Sequence, residues 1–228
     1  MVPDREAALP SGRTPDPDAR LSRAAAQRLS QYLRCLAAPT RNGGTVSSVD
    51  LARLVGVSAA QVRRDLAALG HLGQRGVGYE AAGLATAIRR TLGIDRTWRA
   101  VLVGVGNLAR ALLRYRGFRD QGFLIVGLFD SDPAKIGQVV EGLTVEPAWT
   151  IPSRVPAVKA ELGVLTVPSD PAQGVADVLV AAGVKGLLNF APVLLRTPPA
   201  VKVVTVDLAI QLEQLAFLVQ LHDLPAEA

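Results

Sequence analysis

The chain has one cysteine and two histidines, and no long uninterrupted run of apolar residues. Each shortage excludes something. A single thiol, Cys35, can neither close an intrachain disulfide nor build a cysteine zinc site, and within "QYLRCLA" it reads as a helix residue turned inward. No apolar stretch approaches the roughly 18 residues that a membrane helix needs, and the N-terminus lacks the apolar core of a signal peptide. Neither secretion nor membrane insertion is indicated, and a cytoplasmic location is expected. Hydride transfer needs a proton donor or acceptor beside the reacting carbon. His71 lies in a basic segment and His222 near the end, whereas Lys135, Lys159, Lys185 and Lys202 fall mostly at turns or strand starts. No Tyr-x-x-x-Lys pair occurs, so catalysis is not expected.

What is present is unevenly placed charge. The 228 residues suffice for two ordinary domains. The formal net charge is +5, yet Leu21 to Thr97 holds eleven arginines against four acidic residues, while Trp98 to Ala228 is nearly balanced. A basic excess confined to one module points to a polyanionic partner. Met1 to Arg20, with four prolines and few large apolar residues, is expected to be a disordered tail.

Residues 21–97 predict helices and a hairpin. Ser22 can cap a first helix with an inward stripe of Leu29, Tyr32, Leu33 and Leu36. Ser47 with Asp50 spells a capping box for a second helix, with Leu51, Leu54 and Val55 inward and a stop at Gly56. Ser58 with Gln61 spells another, opening a third helix with Val62, Leu66 and Leu69 inward. That spacing is a helix-turn-helix. "GHLGQRGVGYEA" (Gly70 to Ala81) then reads as a hairpin with a basic tip, followed by a linking helix near Leu84 to Leu92. Together these make a winged helix. Arg63 and Arg64, flanked by Ala60 and Ala67, face outward on the third helix, where guanidinium groups can reach guanine edges or phosphates. Gln61 is placed to read a base instead of closing its cap, and Arg75 at the hairpin tip suits a narrow minor groove. Ser47, Ser58 and Tyr79 complete the expected DNA-contact set.

From 98 to 206 apolar strands alternate with helical stretches, which predicts an α/β domain with a doubly wound parallel sheet covered on both faces. "VLVGVGNLARALLRY" carries Gly104-Val105-Gly106-Asn107-Leu108-Ala109, a G-x-G-x-x-G/A turn between strand and helix. Gly104 permits the tight turn, Gly106 admits a pyrophosphate, and Ala109 packs helix on strand. Asp130 ends the next strand where the fingerprint expects a ribose-binding acid, with Ser131 and Lys135 beside it. An acid there would repel a 2′-phosphate, so NAD(H) is expected over NADP(H). "TVP" (Thr166, Val167, Pro168) and "NFAP" (with Asn189, Phe190, Pro192) close later strands on the same edge; Thr166 and Asn189 are candidates for the cofactor's second half. Residues 207–228 predict a helix whose apolar stripe, Leu208, Leu212, Leu215, Phe217, Leu218 and Leu221, is wide for a sheet edge and suits a subunit interface equally well.

These segments together resemble the Rex family of redox-sensing bacterial repressors, from about Ser30 to Phe217. The markers are "QVRRDL", "GVGY", "GVGNL", "FDSDPAKIG", "LTVP", "AGVKGLLNFAP" and "VTVDLAIQLEQLAF". The resemblance implies a homodimer with swapped C-terminal helices and two winged helices on an inverted-repeat operator. It also implies that NADH releases the DNA whereas NAD⁺ permits binding, and that Arg34, Tyr115 and Asp207 form an interdomain switch. This chain departs from the family's pattern at Ala109, at Ala68-Leu69 and at Leu208. Two other readings stay open at this point. One is an NAD-dependent oxidoreductase, or a CoA-ligase-like subunit, with a basic adaptor; the other is a repressor whose nucleotide only supports the fold.

Overall fold

Four short helices and a three-stranded sheet make the first unit, and a seven-stranded sheet with its helices makes the second. The computed structural model describes residues 21–37, 44–70, 73–74 and 77–223, the last three as backbone alone, and the chain divides after Asp95. The expected tail, His71 and Arg75 lie outside the described residues.

The first unit runs α1 (Arg23–Leu36), β1 (Thr45–Val46), α2 (Ser48–Val55), α3 (Ala59–Ala67), β2 (Gly73–Gln74), β3 (Gly78–Glu80) and α4 (Ala81–Thr91). Ser22 accepts from the Ala25 N–H to start α1, and Leu29, Tyr32 and Leu33 bury its inner face. At α2 both halves of the Ser47–Asp50 capping box form, and Gly56 ends the helix in the left-handed region at φ 74°. Two expectations need correction. Leu54 is exposed: α2 turns Leu51 and Ala52 inward, with Val55 partly buried, which leaves Leu54 outside the stripe. The second capping box is half a box. Ser58 accepts from the Gln61 N–H, but the Gln61 side chain turns to Asp65 instead of back to the cap, because a buried carboxylate is the stronger acceptor.

The hairpin forms between β2 and β3, and β1 joins it to give the order β1-β3-β2. Gly73 admits the Tyr79 ring, which a Cβ there would meet at 2.7 Å. At α4 the cap is Glu80, whose carboxylate accepts from Ala82 and Gly83 N–H groups.

The second unit runs β4 (Trp98–Val103), α5 (Asn107–Arg114), α6 (Gly117–Asp120), β5 (Phe123–Asp130), β6 (Val139–Val140), β7 (Leu143–Pro147), α7 (Ile151–Ala157), β8 (Leu162–Leu165), α8 (Ser169–Ala181), β9 (Gly186–Asn189), β10 (Lys202–Thr205) and α9 (Leu208–Asp223). The sheet order is β10-β9-β8-β4-β5-β7-β6, parallel except for the β6–β7 pair, and so doubly wound about β4. Coverage on both faces is only partly realised. Helices α7 and α8 seal one face over Val101, Val103, Phe129, Leu165 and Leu187. On the other, α5 packs on Leu102, Leu128 and Val164. The β9–β10 connection contains no helix, so part of that second face stays open as an apolar groove of about 410 Å³ along Ile125, Val164, Leu188 and Val204. Helix α9 is exposed along its described side chains, including Leu208, Leu212, Leu215, Phe217 and Leu218. Among the described residues no helix is long and apolar enough to cross a membrane.

Candidate functional site

Strands β9, β8, β4 and β5 are parallel neighbours, so their carboxyl ends deliver Asn189, Thr166, Gly104 and Asp130 to one edge. Gly104 has φ +91°, and a Cβ on it would sit 2.7 Å from the Thr166 carbonyl oxygen. Gly106 is extended at φ −94°, and a Cβ there would meet nothing within 4 Å. The space beside Gly106 opens onto the first turn of α5, where no side chain caps the helix. Those unpaired N–H groups and the helix dipole favour an anion. Asn107 and Leu108 are exposed in this turn, and Ala109 is fully buried against the sheet. The chain therefore fits a pyrophosphate here: Gly106 leaves the room and α5 supplies the donors.

The polar residues expected to touch a cofactor also hold the crevice together. Asp130 is buried and accepts from the Val105 N–H at 2.7 Å, the Asp132 N–H at 2.9 Å and Lys135 Nζ at 3.0 Å. Burial works to raise its pKa, and these donors outweigh it, holding the carboxyl below its usual range and ionised. One acceptor direction on Oδ1 is left over, enough for a single hydroxyl. The Thr166 hydroxyl lies 2.7 Å from the Gly104 carbonyl and 3.1 Å from that of Val103, fastening the glycine turn. Asn189 is fully buried, donating to the Ala191 and Val193 carbonyls and accepting from the Ala191 N–H, which shapes the "NFAP" loop. Ser131, Pro168 and Pro192 are exposed on the rim; Lys135, Val167 and Phe190 are half-buried.

In the first unit Arg63 and Arg64 stand exposed on α3, each held by a neighbour. Arg63 donates to Ser48 Oγ at 3.2 Å and Arg64 to Gln61 Oε1 at 2.7 Å. Ser47 and Ser58 are engaged as caps, and Tyr79 packs over Gly73 and the domain core. The switch candidates lie apart along the chain. Arg34 is exposed on α1, and Asp207 caps α9 through the Ala209 N–H. The Tyr115 ring stands edge-on to Phe118, with centroids 5.4 Å apart. Sequence reasoning missed Arg28 and Asp65, whose bidentate pair at 2.7 Å ties α1 to α3. The available signal was an acid in step with Val62 and Leu66, a core position that demands a partner.

A winged helix with an outward arginine pair, joined to a doubly wound domain with an open glycine cradle, defines a DNA-binding protein that carries a dinucleotide site. Comparison narrows this class. Residues 20–67 match the family described as "Putative DNA-binding protein N-terminus", and residues 95–193 match that described as "CoA binding domain". The redox-sensing transcriptional repressor Rex of Desulfitobacterium hafniense is 49% identical over 83% of this chain and 91% of its own. That of Rhodopirellula baltica is 48% identical over 90% and 87%. Among solved structures, RSP, a Rex-family repressor, superposes with a TM-score of 0.80 at 32% identity, over 90% of this chain and 96% of that chain. RSP in complex with NAD⁺ and operator DNA gives 0.83 at 33%, over 90% and 94%. RSP with NADH gives 0.78 at 32%, over 89% and 95%. The chain belongs to the Rex family of redox-sensing transcriptional repressors. Members of that family are repressors, not enzymes, which sets aside the oxidoreductase and ligase readings.

Proposed function

We propose that this protein binds NAD(H) at the Gly104–Ala109 turn and an inverted-repeat operator through α3 and the β2–β3 wing, with operator affinity lowered when NADH is bound. The observation that carries the reading is the open space beside Gly106 at an uncapped helix, on the same chain as the α3 arginine pair. The functional division is residues 21–97 for DNA, 98–206 for the cofactor and 207–228 for assembly, in the cytoplasm where operator and cofactor meet. Gly106 and α5 would take the pyrophosphate, and Asp130 one adenosine-ribose hydroxyl. The rim near Val167, Phe190 and Pro192 would face the nicotinamide half. Bound there, the dinucleotide supplies a redox-dependent difference, a planar cation against a puckered neutral ring, which apolar surroundings discriminate by desolvation. The ligand shifts the protein only through unequal affinity for two arrangements.

Helix α9 supports assembly as a homodimer. A helix with a wide apolar stripe, exposed along its described side chains, needs burial against another surface. The open groove beside Val164, Leu188 and Val204 is an apolar receptor for it on a second copy.

Arg34, Tyr115 and Asp207 are proposed as the interdomain switch. Because Asp207 also caps α9, the clean variant is Asp207→Asn, which retains a capping oxygen and removes the charge. NADH binding should stay near wild type, measured by NADH fluorescence, while the NADH-induced loss of operator binding shrinks. An unchanged NADH response in that variant rules Asp207 out of the switch.

A further inference from the structure

Asp65 occupies a core-facing position of α3 and has 6% of its surface exposed. Its four lone-pair directions are all taken. Oδ2 receives Arg28 Nε at 2.7 Å and the Tyr32 hydroxyl at 2.9 Å; Oδ1 receives Arg28 Nη2 at 2.7 Å and Gln61 Nε2 at 2.8 Å. An ionised carboxylate only accepts, so the Gln61 amide must turn its NH₂ inward and its oxygen outward. That oxygen receives Arg64 Nη2 at 2.7 Å. One continuous series of hydrogen bonds therefore runs from the buried Tyr32 and half-buried Arg28 of α1, through Asp65 and Gln61, to an exposed guanidinium on α3.

We propose that Gln61 is a positioning residue for DNA recognition: clamped between Asp65 and Arg64, it presets the Arg64 guanidinium and reads no base itself. The inference deepens the DNA-contact reading of α3 and rests on it. Both polar ends of Gln61 are engaged within the protein, which replaces the expectation that it contacts a base edge. Arg64 keeps its Nε–H and Nη1 donors for a guanine edge or a phosphate. An arginine already ordered loses less side-chain entropy on binding, which amounts to roughly three- to tenfold in affinity.

The test is a double-mutant cycle on the full chain. Fluorescence anisotropy at fixed salt would use a duplex that the wild-type protein selects from a random library, with Gln61→Ala, Arg64→Ala and the double variant. Gln61→Ala should weaken binding about three- to tenfold, leave the preferred sequence unchanged, and have no further effect when Arg64 is already alanine. A merely structural role would lower affinity equally in both backgrounds, and direct base reading would be additive with relaxed preference at one base pair; either result overturns the proposal. If Arg64→Ala weakens binding while Gln61→Ala does not, the relay alone fails. If Arg64→Ala has no effect, the reading of the α3 surface fails and takes the relay with it.

Discussion

The two glycines of the cofactor turn should respond to the same substitution in opposite ways. Gly104→Ala places a Cβ at φ +91°, 2.7 Å from the Thr166 carbonyl oxygen and 2.8 Å from Val167 Cγ1. Left-handed strain costs about 1–3 kcal/mol, and crowding against backbone adds roughly 1–3 kcal/mol. The cofactor domain should lose on the order of 10 °C in its unfolding midpoint. Gly106→Ala meets nothing within 4 Å and keeps an ordinary extended φ of −94°. Its stability should stay within about 0.5 kcal/mol of wild type. Its methyl group, however, occupies the space through which the backbone approaches a pyrophosphate, a loss of about 1–3 kcal/mol of NADH affinity. Thermal unfolding without nucleotide and NADH fluorescence titration separate the two effects. A Gly106→Ala protein that binds NADH like wild type, or a Gly104→Ala protein as stable as wild type, refutes the assignment.

Further outcomes follow from the α1–α3 network and from α9. Burial and donation to Asp65 push the Tyr32 phenol up to about 12. The neutral form thus favours the fold, and that contribution, intact below about pH 10, is lost as pH rises through the raised value. Spectrophotometric titration should show one late-ionising tyrosine that Tyr32→Phe abolishes; an unchanged late step assigns it elsewhere. Burial works to raise the pKa of Asp65, but bonds from Arg28, Gln61 and Tyr32 prevail and lower it. Its stabilisation is complete above the ordinary carboxylate range and disappears as pH falls through the lowered value. Acid unfolding of the first unit should therefore move to higher pH in Arg28→Met, and an unmoved transition contradicts this. A chain ending at Asp207 should be monomeric by light scattering where the full chain is dimeric; a dimer without α9 removes the helix from the interface.

Much of the architecture could be read from local signals. Ser22, Ser47 and Gly56 mark helix ends through short-range hydrogen bonding and backbone preference, and the structure places them so. The glycine fingerprint was legible for the same reason, since strand, turn and helix are contiguous. What escaped depends on contacts distant in sequence. The Arg28–Asp65 pair spans 37 residues, and the third strand of the wing comes from Thr45 and Val46, ahead of both helices. Glu80 as a helix cap was hidden because serine, threonine, aspartate and asparagine dominate that position. The roles of Asp130, Thr166 and Asn189 were half legible. Strand-end spacing put them at the crevice, but only three-dimensional packing shows their polar atoms already committed to the loops around them.

In the proposed function, the redox state of a nucleotide at Gly104–Ala109 controls DNA binding by α3 and the wing. The most direct measurement is anisotropy of a labelled inverted-repeat duplex selected by this protein, titrated at fixed salt because phosphate contacts make affinity salt-dependent. It would be run without nucleotide, with NAD⁺ and with NADH. Tight binding is expected in the first two conditions and release by NADH in the third, with the NADH effect lost in Gly106→Ala. Equal affinity in all three conditions would contradict it.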